Sequence, residues 1–151
     1  TTLLLPTIQR EPVALAVTEE SKLAQKSGNP KRILVADDNE INQVVACKFL
    51  QKLGFEVEIA RNGREAVEAA SRTPYDAILM DCEMPEMDGY EATRAIRQRE
   101  TGQERHIPVI ALTGHVSTED ERVCLDAGMN AVLTKPVTLP ALRGTLDRIL
   151  R

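Results

Sequence analysis

The sequence predicts an α/β fold: a doubly wound parallel sheet of five strands covered by five helices. Two observations carry this reading. From Lys31 onward, short segments rich in aliphatic and β-branched residues alternate with longer stretches whose apolar residues recur at helical spacing. That alternation marks βαβ units, and their parallel sheet is buried on both faces. The 151 residues also suffice for one domain with a sizeable core and are short for two.

The strands are "RILVA", "EVEIA", "AILM", "PVIAL" and "AVLT", in chain order. Between the first two lies a helix with Ile41, Val44, Val45, Phe49 and Leu53 at helical spacing, capped by Asn39 and followed by Gly54. Further helix starts are expected at "NGRE" (62–65), "DGYE" (88–91) and "TEDE" (118–121), where a capping side chain stands three residues before Glu. Five strands and five helices fit within residues 31–151. Residues 1–30 mix short apolar pieces with polar ones and end in the breakers "KSGNP", so they are expected to form a tail or interdomain linker, partly flexible, with one short helix around Glu19 to Lys26.

Composition excludes several functions. The net charge of −4 arises after Pro30, where 20 acids face 16 bases, a balance that argues against a basic surface for nucleic acid. With no Trp, two Tyr and two Phe, the chain also lacks stacking platforms for bases. Cys47, Cys82 and Cys124 are widely spaced and suggest neither a disulfide framework nor a zinc site, which fits a reducing cytoplasm. The opening "TTLLLPTIQREP" has no basic region and is broken by Pro6, unlike a secretory signal or a membrane span. The missing initiator Met fits a processed chain or a piece of a longer one.

Ligands of such sheets sit beyond the carboxyl ends of the strands. There the sequence sets Asp37 and Asp38 after the first strand, Asp81 after the third, Thr113 after the fourth and Lys135 after the fifth. Three carboxylates in one crevice repel by roughly 1–4 kcal/mol per close pair. A hard divalent cation compensates, and Mg²⁺ is held by one or two carboxylates with room left for a phosphate oxygen. Lys135 adds positive charge and Thr113 a hydroxyl donor. The set suits phosphoryl transfer to a carboxylate, with Asp81 as nucleophile.

Each residue alone has a plainer reading. An acid pair before a helix is most often a cap, a strand-end Thr is usually only Thr, and "TKP" can be a turn. Their joint placement at successive strand ends favours the functional reading. Cys82, beside Asp81, is expected to point to the other side as buried filler, and Met84 and Met87 to pack the loop around Pro85.

"ILVADDNEINQ", "DAILMDCEMPEMDGYEATRAIR", "VIALTG" and "AVLTKP" resemble, in order and context, the receiver domain of two-component response regulators over about residues 31–150. The resemblance implies a flavodoxin-like sheet of strand order 2-1-3-4-5 and a Mg²⁺-dependent phosphoaspartate site. Within it Asp81 matches the phosphoacceptor, Asp37 and Asp38 the acidic pair, Thr113 the switch hydroxyl and Lys135 the lysine. It also implies metal coordination by the Glu83 backbone carbonyl and a cis bond between Lys135 and Pro136. Asp38 is expected to touch the metal directly and Asp37 mainly through water. Glu83 and His115 would flank the path of hydrolytic water and tune dephosphorylation, although a surface His after a "TG" turn is more often a plain polar residue.

The wording most resembles receivers of hybrid sensor histidine kinases, with residues 1–30 leading from a kinase core; a stand-alone receiver with a tail is the other arrangement. The implied partner is a histidine kinase or a histidine phosphotransfer domain, with no direct membrane contact by this segment and a cytoplasmic setting. Such a domain promotes only its own phosphorylation and dephosphorylation. One departure is Val132, three before Lys135, where receivers often carry an aromatic residue coupled to the Thr113 position. Two other classes fit the sequence less well. A Mg²⁺-dependent phosphohydrolase of the haloacid dehalogenase type wants a second Asp two residues past its nucleophile, where this chain has Glu83. A degenerate receiver acting as a docking module would not need the intact acid, Thr and Lys set.

Overall fold

The computed structural model describes residues 30–115 and 117–150; the expected helix around Glu19 to Lys26 lies outside them. Strands β1 (Arg32–Ala36), β2 (Glu56–Ala60), β3 (Ala77–Asp81), β4 (Val109–Thr113) and β5 (Ala131–Thr134) alternate with helices α1 (Glu40–Lys52), α2 (Gly63–Arg72), α3 (Gly89–Arg99), α4 (Thr118–Asp126) and α5 (Leu139–Ile149). All pairings are parallel, and the strand order is β2-β1-β3-β4-β5. Strand order therefore reverses at β1, which opens a crevice between the carboxyl ends of β1 and β3.

The two-residue period of the strands divides the core into two layers. Leu34, Ala36, Ile78, Met80, Val109 and Ala111 face a cluster that includes Ala66, Ala92 and Cys124 from α2, α3 and α4. Ile33, Val35, Ala77, Leu79, Ile110 and Leu112 face Ala46, Leu50, Leu142 and Leu146 from α1 and α5. Every residue of β3 and β4 is buried, as expected of strands covered on both sides.

Helix starts follow the sequence signals at three of four sites. Asn39 accepts the Ile41 and Asn42 amides, Asn62 accepts the Glu65 amide, and Asp88 with Glu91 forms a reciprocal capping box. At α4 the cap is Ser117, not Thr118: its hydroxyl accepts the Asp120 amide and leaves Thr118 as the first helical residue. Gly54 follows α1 with φ 96°, a left-handed conformation that glycine adopts without strain.

The apolar stripe read into α1 needs correction. Ile41 is 73%, Val44 52% and Val45 38% exposed, whereas the buried residues of the helix are Ala46 and Leu50, followed by Leu53 just past its end. Small Ala46 lets the helix lie close to the sheet, and its register at i, i+4 and i+7 turns the β-branched residues outward.

The start of α3 approaches β3 closely. The Gly89 amide donates to the Cys82 carbonyl at 3.1 Å, and a Cβ at Gly89 would lie 2.3 Å from the Asp81 carbonyl oxygen. Gly89→Ala must push backbone from backbone and is expected to destabilise the domain by about 1–3 kcal/mol, read from urea unfolding. A wild-type midpoint would contradict this close approach.

Candidate functional site

Each polar residue at a strand end is placed there by the hydrophobic run before it. Asp81 is the last residue of β3 and 2% exposed; Asp37 follows β1 and is fully buried, while Asp38 beside it is exposed. Among the described residues, Asp37, Asp38 and Asp81 each offer a carboxylate oxygen within 4.8 Å of the others'. The Lys135 ammonium donates to Asp81 Oδ1 at 3.0 Å, and the Glu83 amide donates to the same oxygen at 3.2 Å. Lys135 is joined to β4 by its own amide, which donates to the Thr113 carbonyl at 2.8 Å, and it precedes a cis bond to Pro136.

Thr113 is buried at the end of β4, but its hydroxyl is engaged with His115. It donates to the His115 carbonyl at 3.0 Å and accepts the His115 amide at 3.2 Å. Alternation along β4 puts Thr113 on the layer of Val109 and Ala111, while Asp81 continues the opposite layer of Leu79. His115 thus enters the site through its backbone, and its side chain is exposed. Glu83, similarly, contributes an amide to Asp81 and lines a crevice of about 580 Å³ with Asp38, Cys82, Met84, Pro85, Asp88 and Tyr90.

Positioning of Asp37 uses Asn39, expected from the sequence as the helix cap, and Gln43, which the sequence reading did not single out. Asp37 Oδ1 accepts the Asn39 amide at 2.9 Å, and the Gln43 side chain donates to the Asp37 carbonyl at 2.6 Å. The available signal was helical spacing, since Gln43 stands one turn after the Asn39 cap. Asp37 Oδ2 is buried without a hydrogen-bond partner. Burial raises the Asp37 carboxyl above the usual carboxylate range and the Asp81 charge adds to this, against the Asn39 amide, Lys135 and Asn42. For Lys135, burial acts to lower the ammonium, but the hydrogen bond and charge of Asp81, with Asp37 and Glu83, raise it overall.

An orphaned carboxylate oxygen in a nest of three acids is costly unless a positive group meets it. Hard oxygen donors at this spacing suit a divalent cation such as Mg²⁺. Cys82 behaves as expected of filler: it is 2% exposed, lies in the layer of Met80, and burial pushes its thiol up to about 12. Met84 is buried in the same cluster, with Met87 and Val132 packed at its edge.

A five-stranded doubly wound sheet with an acidic nest at its switch point and an ammonium on a strand-end aspartate defines a phosphoacceptor class of domain. The response regulator receiver domain matches residues 33–147, and the chain belongs to that family. Histidine kinase 1 of Arabidopsis thaliana is 39% identical over 155 residues, covering 81% of this chain and 13% of that protein. The chain spans 13% or less of the length of the first curated relatives it matches. Among solved structures, the receiver domain of the sensor histidine kinase PA1611 from Pseudomonas aeruginosa, with a magnesium ion in its active-site cleft, is 44% identical. It superposes with a TM-score of 0.72 over 80% of this chain and 97% of that one. The Saccharomyces cerevisiae Ssk1 receiver, solved with the histidine phosphotransfer protein Ypd1, is 35% identical with a TM-score of 0.73 over 78% and 86%. This chain is a receiver domain, a phosphoacceptor of two-component signalling, and it is similar to the receivers of hybrid histidine kinases.

The raised Asp37 carboxyl has a definite sign. The folded state holds that proton more tightly than the unfolded chain, so Asp37 costs stability as pH rises through its raised value. Metal-free Asp37→Asn is therefore expected to unfold at a higher urea concentration than wild type at neutral pH. An unchanged or lower midpoint would contradict the cost.

Proposed function

We propose that Asp81 accepts a phosphoryl group from a phosphohistidine on a histidine kinase or a histidine phosphotransfer protein. The observation that supports this most directly is the fixing of the buried Asp81 Oδ1 by Lys135 and the Glu83 amide, next to an open crevice lined by Asp38 and Glu83. The carboxylate attacks phosphorus, the phosphorus–nitrogen bond of the donor breaks, and the imidazole leaves with its electron pair. Asp37, Asp38, Asp81 and the Glu83 carbonyl would hold Mg²⁺, which supplies charge neutralisation on the transferring oxygens. The magnesium-bound PA1611 receiver supports that cation. Lys135 orients the carboxylate before transfer and pairs with the phosphoryl group after it.

Phosphorylation adds about −2 charge and three acceptor oxygens. Thr113 answers by giving up the His115 carbonyl and donating to the phosphoryl group, which releases the segment between β4 and α4. Val132, half-buried at the edge of the core, replaces the aromatic partner of other receivers, so output through α4, β5 and α5 runs without a Thr and Tyr rotamer pair.

Ile41, Val44 and Val45 expose an apolar face of α1 close in sequence to Asp38, and this suits a helical phosphotransfer partner seated over the crevice. The complex of the Ssk1 receiver with Ypd1 supports that partner class. A cytoplasmic setting fits Cys47, Cys82 and Cys124, which are free thiols that suit a reducing compartment.

Incubation with acetyl phosphate and Mg²⁺ should add one phosphoryl group by intact mass, and Asp81→Asn should add none. The decay of that adduct should change in Glu83→Ala or His115→Ala; an unchanged lifetime in both would remove their proposed tuning role. An adduct persisting in Asp81→Asn would overturn the acceptor assignment.

Docking has its own test. Val44→Asp should slow transfer from a phosphorylated histidine phosphotransfer protein by about tenfold or more, as for a buried interface anchor. Its labelling by acetyl phosphate should match wild type. Equal transfer rates for Val44→Asp and wild type would exclude the α1 face.

A further inference from the structure

Two thiols lie together behind the acidic crevice. Cys82, just past β3, and Cys124, on α4, place their Sγ atoms 3.9 Å apart, 42 residues distant in sequence. Both are free and buried, at 2% and 0% exposure. Cys82 is among the residues that line the 580 Å³ crevice, so the buried thiol pair lies directly behind that crevice. Cys124 is the one described residue of α4 that is buried, while its neighbours Val123 and Leu125 are exposed. One side chain therefore anchors this helix, and that side chain touches Cys82.

We propose that Cys82 and Cys124 are an oxidation site, closed to a disulfide by hydrogen peroxide or a similar peroxide, that staples α4 to the end of β3. One sulfur is oxidised by peroxide to a sulfenic acid, with release of water. The other thiol displaces the hydroxyl as a second water and forms the sulfur–sulfur bond. Two thiols are oxidised by two electrons in total, and peroxide is reduced to two water molecules. From 3.9 Å the sulfurs need to approach by roughly 2 Å to reach bonding distance, within the range of side-chain rotation and a small shift of a lightly anchored helix. Both thiols are buried, so either sulfur can be oxidised first on local opening and the other resolves it.

The consequence is mechanical. Ser117 caps α4, so a covalent tie at Cys124 limits how far the start of that helix moves. The staple acts on mobility and leaves the carboxylates of the crevice in place.

The test is peptide mapping of the full chain after hydrogen peroxide treatment. Trypsin releases Cys82 within residues 73–94 and Cys124 within 123–143, so the disulfide joins two otherwise separate peptides. The expected result is that linked pair, lost on reduction, retained in Cys47→Ser and absent in Cys124→Ser and Cys124→Ala. Amide exchange across residues 118–127 should slow severalfold on oxidation of wild type and stay unchanged in Cys124→Ser. Oxidation that yields only Cys47-linked dimers, or sulfinic acid at Cys82 with Cys124 still free, would overturn the pairing. A linked pair without slowed exchange in α4 would overturn the staple.

Discussion

The structure depends on one ion pair, between Lys135 and Asp81, formed at the rim of a sheet that is otherwise apolar. Asp37 and Asp81 both stand where buried strands end, and two carboxylates so placed would disfavour the fold if nothing answered them. The 3.0 Å bond from Lys135 answers one of them directly. Its partners are 54 residues apart, and they meet because β4 lies between β3 and β5 and holds Lys135 through the Thr113 carbonyl. The Asp37 oxygen left without a partner shows that this balance is incomplete, which is the condition for a cation to bind with profit.

Much of this was legible in the amino-acid order, for a physical reason. Strands buried on both faces must be continuous apolar runs, so the first polar residue after such a run marks the sheet's edge, and Asp37, Asp81 and Thr113 announce themselves, with Lys135 one residue past Thr134. The strand order and the cis bond before Pro136 came only through family resemblance. Three features could not be read. The stripe of Ile41, Val44, Val45, Phe49 and Leu53 has helical period, yet only Phe49 and Leu53 meet the core, because periodicity does not say which face turns inward and Ala46 decides that by permitting close approach. Ser117 and Thr118 are equivalent caps on paper, and only the path of the backbone selects Ser117. The bond between the Thr113 hydroxyl and the His115 carbonyl depends on a loop conformation that no spacing encodes. Gln43 was visible but silent, because its role lies in a carbonyl it holds rather than in chemistry of its own.

The contact at Gly89 makes the two sides of the crevice unequal. On one side, α3 begins with its backbone pressed against the Asp81 carbonyl, and the Thr93 hydroxyl donates to the Gly89 carbonyl one turn later. Gly63 of α2 meets the Met87 carbonyl in the same manner, so the loop between β3 and α3 is gripped from both flanks. On the other side, α4 rests on a single buried side chain. The site therefore resembles a vice with one jaw bolted to the bench and the other held by a single pin.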